Sequence, residues 1–284
     1  MLDMYIACVV AIALAFGVYH FVRKQSPETG WNYHGNVQTS AYKQLDIIGI
    51  GILLLIYSAT FALLLSTPDS AQQTAEIQEQ VSPTFMAAMT FVLGLVSQLL
   101  PVGIVLLFLA IRYNVLELFG LKNVNWKKVF MWAGIGLVGG FILAIASALV
   151  FQQFIIDRIG KPEAQEAVRL VLEAKKNNPL MLVFVVILAT IVAPLCEEFV
   201  FRGYLYGVTK RFSCRYFAAI SSSMIFALVH MNLWSLPALF ALGLAFAIIY
   251  EMSGSLWANI LAHAGFNSIQ IFLMLMANES DLPY

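Results

Sequence analysis

Along the chain, apolar stretches long enough to be measured against the roughly 20 residues that cross a bilayer core alternate with polar connections. Eight are legible, at about 4–22, 46–66, 85–111, 129–151, 180–210, 216–230, 236–251 and 255–276. The first lacks a basic leading segment and a small-residue cleavage site, and Arg23 and Lys24 follow it, so it reads as a retained span and not a removed signal peptide. The third contains Pro101, which predicts a kink or a strong tilt. The fourth carries Gly134, Gly136, Gly139 and Gly140, small residues that let helices approach closely.

The connections divide the chain into three parts. Residues 1–151 form a four-span region of generic membrane character. Residues 152–179 are the longest polar connection, in which Pro162 suits a first helical turn and Val168, Leu170, Val171 and Leu172 give an apolar face. This segment reads as a helix resting on the headgroups, or as a lid near a site. Residues 180–284 hold the chemistry. Two further connections have character of their own: 67–84 contains Asp69, Glu76 and Glu79 but no lysine or arginine, and 112–128 (Val115, Leu116, Leu118, Phe119, Leu121, then Trp126, Lys127 and Lys128) suits the membrane surface. A turn is expected at Ser26-Pro27 and a polar tail from Asn278 to Tyr284.

Composition agrees with this pattern. At 61% hydrophobic and 11% charged residues, with a mean hydropathy of +0.82, the chain is too apolar for a soluble domain. The fold class expected is an all-α, polytopic bundle of about eight transmembrane helices around an intramembrane polar cavity. Zero net charge and the lack of a basic tail argue against nucleic acid as a partner; the lipid bilayer and a membrane protein or peptide substrate remain. Cys8, Cys196 and Cys214 fall at unrelated spacings and imply no disulfide framework. Placing both termini outside puts eleven of the sixteen basic residues on the cytoplasmic side, and the other five in the connection 152–179, where acids nearly balance them.

Against this background the run Cys196-Glu197-Glu198-Phe199-Val200-Phe201-Arg202 stands out. An ionisable side chain at membrane depth costs roughly 2.5–3.5 kcal/mol and usually faces a bundle interior or a watery cavity. The bland alternative is an ion pair that pins helices together. Glu198 and Arg202 are four apart on one helix face, acid first, which is the better order for a pair. Glu197 is turned about 100° from its neighbour and is left for proton transfer. Phe226 and His230, also four apart, end the sixth stretch, and Asn259, His263 and Asn267 form a polar stripe on the eighth.

A glutamate, two histidines and an asparagine gathered in a wet cavity suggest hydrolysis. Glu197, assisted by His230, would take a proton from water and pass it to the leaving amine, while His263 and Asn267 would donate to the oxyanion. Neither GxSxG nor HExxH occurs. A metal stays open at this point, because Glu197, His230 and His263 are a workable zinc set with a free fourth position.

Glu197-Glu198-xxx-Arg202, Phe226-xxx-His230 and His263-xxx-Asn267, in that order on successive apolar stretches, resemble the CPBP family of intramembrane proteases, which includes Ras-converting CAAX endopeptidases and bacterial Abi proteins. The approach from Tyr250 to His263 is similar as well, and the resemblance covers about 180–271. It implies a helical bundle with a cavity open to the cytoplasm, a bacterial inner-membrane location, and peptide cleavage by glutamate-activated water. Glu197 and His230 would activate the water, His263 and Asn267 would form the oxyanion hole, and Glu198, Arg202, Phe226 and Asn259 would support them. Two other readings compete: a non-catalytic scaffold or bacteriocin-immunity protein that keeps the site as architecture, and a proton-coupled transporter, which would predict internal repeats.

Overall fold

The computed structural model describes residues 2–25, 35–65, 82–160 and 166–277. The turn at Ser26-Pro27, the acids Asp69, Glu76 and Glu79, Pro162 and the tail from Asn278 lie outside the described residues. The chain runs through α1 (Leu2–Gln25), α2 (Leu45–Leu65), α3 (Pro83–Leu109), α4 (Val115–Leu118), α5 (Trp126–Ile159), α6 (Glu166–Asn177), α7 (Pro179–Phe212), α8 (Arg215–Val229), α9 (Leu236–Ser253) and α10 (Leu256–Met276). No strand occurs among the described residues. This is an all-α, polytopic membrane protein. Among the described residues six helices, α2, α3, α5, α7, α9 and α10, are long and apolar enough to cross a bilayer, and α1 and α8 carry shorter apolar segments.

Periodicity explains which way the helices face. In α3, Ala87, Pro101, Val105 and Leu109 recur at helical spacing on the inward side, while Val92, Leu93, Val96 and Leu99 are exposed, where lipid would meet them. Of the four glycines in α5, Gly136 and Gly140 face α9: a Cβ on Gly136 would stand 2.0 Å from Ile249, and one on Gly140 2.8 Å from Leu242. Gly134 and Gly139 meet open space. α5 also runs to Ile159, beyond the boundary expected at 151, because Phe154, Ile155 and Ile156 continue its apolar pattern.

Two surface expectations change. The 112–128 stretch does not simply lie on the membrane: Phe119 is fully buried, edge-on to Phe199, and Val115 and Leu118 join the same core. Its backbone is bonded to the start of α10, with Leu256 N–H donating to the Phe119 carbonyl at 3.1 Å and Ser255 Oγ to that of Gly120 at 2.6 Å. Gly120 is required there, at φ +66°, where a Cβ would stand only 2.0 Å from the Gly254 carbonyl oxygen. α6 in turn packs its apolar face on α7 and α10, with Val171 against Val185 and Ile271.

One end of the bundle is closed by buried polar contacts. Lys210 Nζ meets both oxygens of Glu251 at 2.7 and 2.8 Å and also donates to the Val37 carbonyl at 3.2 Å. Tyr206 donates to the same carboxylate at 2.5 Å. Asn36 bonds the end of α9 through its N–H and its side chain, and Tyr42 donates to the Gly203 carbonyl at 2.6 Å. Arg112 pairs with the buried Asp46. Segment 36–44 is thereby strapped across α7 and α9. Lys210→Met leaves a buried carboxylate without its cation, a change that costs about 3–5 kcal/mol. Thermal unfolding in detergent should show a markedly lowered midpoint, with Lys210→Met/Glu251→Met recovering part of it.

Candidate active site

α7 is not a uniform α-helix. Wide i→i+5 turns at Leu188–Val192 and Glu198–Tyr206 bracket the short α-helical piece Ala193–Glu197. Wide turns of this kind are rare and favour functional sites. In the first, Ala193 N–H donates to the Leu188 carbonyl. The same register would give the Ala189 carbonyl to the nitrogen of residue 194, which is a proline and has no N–H. Asn267 Nδ2 on α10 takes that place, donating to the Ala189 oxygen at 2.8 Å.

The second wide turn begins at Glu198, which is fully buried. Its Oε1 accepts from Arg202 Nη1 at 3.1 Å and from His263 Nδ1 at 2.9 Å, and its Oε2 accepts from Asn259 Nδ2 at 3.2 Å. Asn259 also donates to the Phe246 carbonyl at 2.7 Å, and Arg202 to that of Gly243 at 3.3 Å. The guanidinium lies over two aromatic rings, 4.4 Å from the centre of Phe226 and 5.3 Å from that of Phe246. Phe226 also meets His230 edge-on at 4.7 Å. One carboxylate thus ties α7 to α10, and its donors reach α9 through the Gly243 and Phe246 carbonyls and α8 through the Phe226 ring.

Glu197 is arranged in the opposite way. Its Oε1 accepts from Gln98 Nε2 of α3 at 3.2 Å, while Oε2 is buried with no hydrogen-bond partner among the described residues. That oxygen stands 4.0 Å from His230 Nε2 and 3.9 Å from His263 Nε2. His230 Nδ1 is 2.7 Å from the Phe226 carbonyl, which can only accept, so that nitrogen carries the proton and Nε2 offers a lone pair in the neutral ring. His263 Nδ1 donates to Glu198, which leaves Nε2 of that ring turned towards Glu197. Side-chain exposures of 24% for His230, 15% for Glu197 and 4% for His263 show that the cluster opens on the His230 side.

At 1.5 Å per residue, Glu197 lies roughly 20 Å along α7 from Lys210, and His263 roughly 12 Å along α10 from Ser255. The cluster therefore sits well inside the bundle. Two imidazole nitrogens and a carboxylate oxygen are a zinc-type donor set. Their spacing is not: bonds of about 2.0–2.1 Å in a tetrahedron put donors about 3.3 Å apart, and no group of three or more such side chains among the described residues stands close enough to hold a metal. Two polar atoms 4 Å apart match instead the arms of one bridging water, about 2.8 Å each.

The structure thus gathers Glu197, Glu198, Arg202, Phe226, His230, Asn259 and His263, and places Asn267 one helical turn beyond His263 on α10, with one amide hydrogen engaged at Ala189. Gln98 is the residue that sequence reasoning passed over. The signal was present: it is the sole amide side chain in the stretch 85–111, on the same inward stripe as Pro101 and Val105.

Residues 179–269 match the family model for type II CAAX prenyl endopeptidase Rce1-like. The chain is 29% identical over 145 residues to "Putative membrane peptidase YdiL" of Bacillus subtilis (strain 168), covering 51% of this chain and 56% of that protein. It is 27% identical over 160 residues to "Membrane-embedded CAAX protease MroQ" of Staphylococcus aureus (strain USA300), covering 54% and 62%, and 27% identical over 170 residues to "UPF0177 protein YbdI" of Lactococcus lactis subsp. lactis (strain IL1403), covering 57% and 85%. The match thus spans less than two thirds of the length of the first two relatives. No solved structure matches the chain.

The Ala189 carbonyl yields a specific expectation. Asn267→Ala strands a part-buried acceptor in an apolar span and should cost about 1–3 kcal/mol. In a Pro194→Ala background a backbone N–H is restored beside that carbonyl, so the same change should cost clearly less. A double-mutant cycle on unfolding in detergent measures the difference.

Proposed function

We propose, from the match of residues 179–269 to the Rce1-like CAAX prenyl endopeptidase model and the likeness to membrane peptidases, that this chain is an intramembrane endopeptidase that hydrolyses a peptide bond of a membrane-associated protein or peptide with water activated by Glu197. The observation that carries the reading is the buried, unpartnered Oε2 of Glu197, held about 4 Å from two imidazole nitrogens. A water between Glu197 and His230 loses its proton to the carboxylate as its oxygen bonds to the peptide carbonyl carbon. The carbonyl oxygen becomes an oxyanion. The C–N bond then breaks, and the proton held on Glu197 passes to the departing amine.

The hydrogen bonds on the two rings support different parts. His230, tied to a backbone carbonyl, offers a lone pair and suits orientation of the water. His263, fixed by Glu198 at Nδ1, presents Nε2 to the oxyanion, to which that nitrogen donates when it carries a proton, and the second amide hydrogen of Asn267 is free to join it. Glu198 and Arg202 orient and do not react. The segment 180–284 is the catalytic core, with the earlier spans as its support. The strapped end, with Lys43, Arg112, Lys210 and Arg211, faces the cytoplasm, both termini lie outside, and the membrane is a bacterial inner membrane.

Purified protein in lipid, offered membrane-embedded peptides that include prenylated carboxyl termini, tests the reading. Glu197→Gln should lower kcat by a factor on the order of 10² to 10⁴ while thermal stability is kept. Activity should survive a chelator. Equal cleavage by wild type and Glu197→Gln would overturn the assignment, and loss to chelator with recovery on zinc would move it to a metalloprotease.

A further inference from the structure

We infer that Gln98 of α3 is a positioning residue for this reaction, holding Oε1 of Glu197 so that Oε2 is the oxygen presented to His230, His263 and the water. The inference rests on the peptidase reading and carries the site outside residues 179–269, into the amino-terminal half of the chain.

A glutamate side chain has a broad terminal torsion, and its two carboxylate oxygens exchange places by rotation about it. Only Oε2 faces both imidazoles, at 3.9 and 4.0 Å, and it has no hydrogen bond to hold it there. The restraint comes from the other oxygen, which accepts from Gln98 Nε2 at 3.2 Å. An amide suits this place: it donates to the carboxylate without adding a charge to the site.

The helix contacts are built to bring Gln98 there. Phe91 stacks on Phe184 at 4.6 Å, and Asn178 donates to the Pro83 carbonyl at 2.8 Å, so α3 runs alongside α7 in the same direction. One turn before Gln98, a Cβ on Gly94 would stand 2.6 Å from Leu188, in the first wide turn of α7. The missing side chain sets the close approach from which Gln98 reaches Glu197. Pro101, three residues on, cannot donate to the Ser97 carbonyl, which loosens α3 beside the same residue.

Two variants separate positioning from packing. Gln98→Met keeps the volume but not the donor, and should lower kcat about tenfold with KM within about twofold, since a hydrogen bond to a charged group is being removed. Gln98→Glu keeps the shape but sets a second acid against Glu197, beside His230 and His263, with Arg202, Cys196 and Tyr57 the other titratable groups that feel that carboxylate. It should be more impaired at neutral pH and recover towards wild type on acidification, as the introduced acid gains a proton to donate. A merely structural glutamine would give losses in both variants that do not depend on pH.

The substrate is whichever library peptide the wild type cleaves. Wild-type kcat in Gln98→Met, in a protein that Glu197→Gln inactivates, overturns this inference alone; unchanged cleavage in Glu197→Gln overturns the peptidase reading. Solid-state NMR in lipid reads the contact independently of activity. Magnetisation transfer is expected between the Gln98 side-chain nitrogen and the Glu197 carboxyl carbon, and its absence overturns the inference even if no peptide is cleaved.

Discussion

The site depends on one buried ion pair, Glu198 with Arg202. Removing two charges from water is expensive, and apolar replacements of such pairs are often as stable or more so, so stability alone does not account for it. Its geometry supplies direction. The carboxylate accepts from three side chains on two helices, and the guanidinium lies over Phe226 and Phe246. With Glu198 so engaged, the His263 ring has one orientation, Nδ1 on the carboxylate and Nε2 towards Glu197. The pair acts as a fixed mount for a ring that, in the proposed reaction, points at the reacting atom.

Adjacent glutamates acquire opposite characters because a helical step turns them to different surroundings. Glu198 faces three donors, one of them a cation, and has little left to offer. Glu197 faces one amide and two imidazoles, and one of its oxygens is unpartnered. Satisfied polar groups in a low-dielectric interior rigidify, while an unsatisfied one is costly and persists where something else requires it. In this chain the costly atom is the oxygen that the proposed reaction would use.

Much of this was legible in the sequence. The eight apolar stretches became helices close to their expected bounds except at the end of α5, and the pairing of Glu198 with Arg202 followed from a spacing of four that survives the wide turn. The aromatic of Phe226-xxx-His230 could be seen, but not its two jobs, covering Arg202 and bracing His230, because those depend on how α8 lies against α7. The burial of Phe119 was hidden for a similar reason: a short amphipathic stretch reads alike whether its apolar face meets lipid or a groove between helices. Gln98 escaped notice because a single neutral amide in a long apolar run carries a weak signal until a partner from another helix is known.

The wide turns show how local backbone and tertiary contact are joined. Pro194 removes a donor from a helix that must cross a region without water, and the missing bond has to be made good by another element. Asn267 does so from α10, one turn beyond His263. The amide is thereby fixed with its nitrogen towards Ala189, since a carbonyl oxygen could not face another, and its second hydrogen is aimed by the same bond. A defect in α7 therefore sets the orientation of a side chain on α10. The separation between Asn267 and Glu197 is then governed by helix packing and by the register of that single hydrogen bond, not by any direct contact between them.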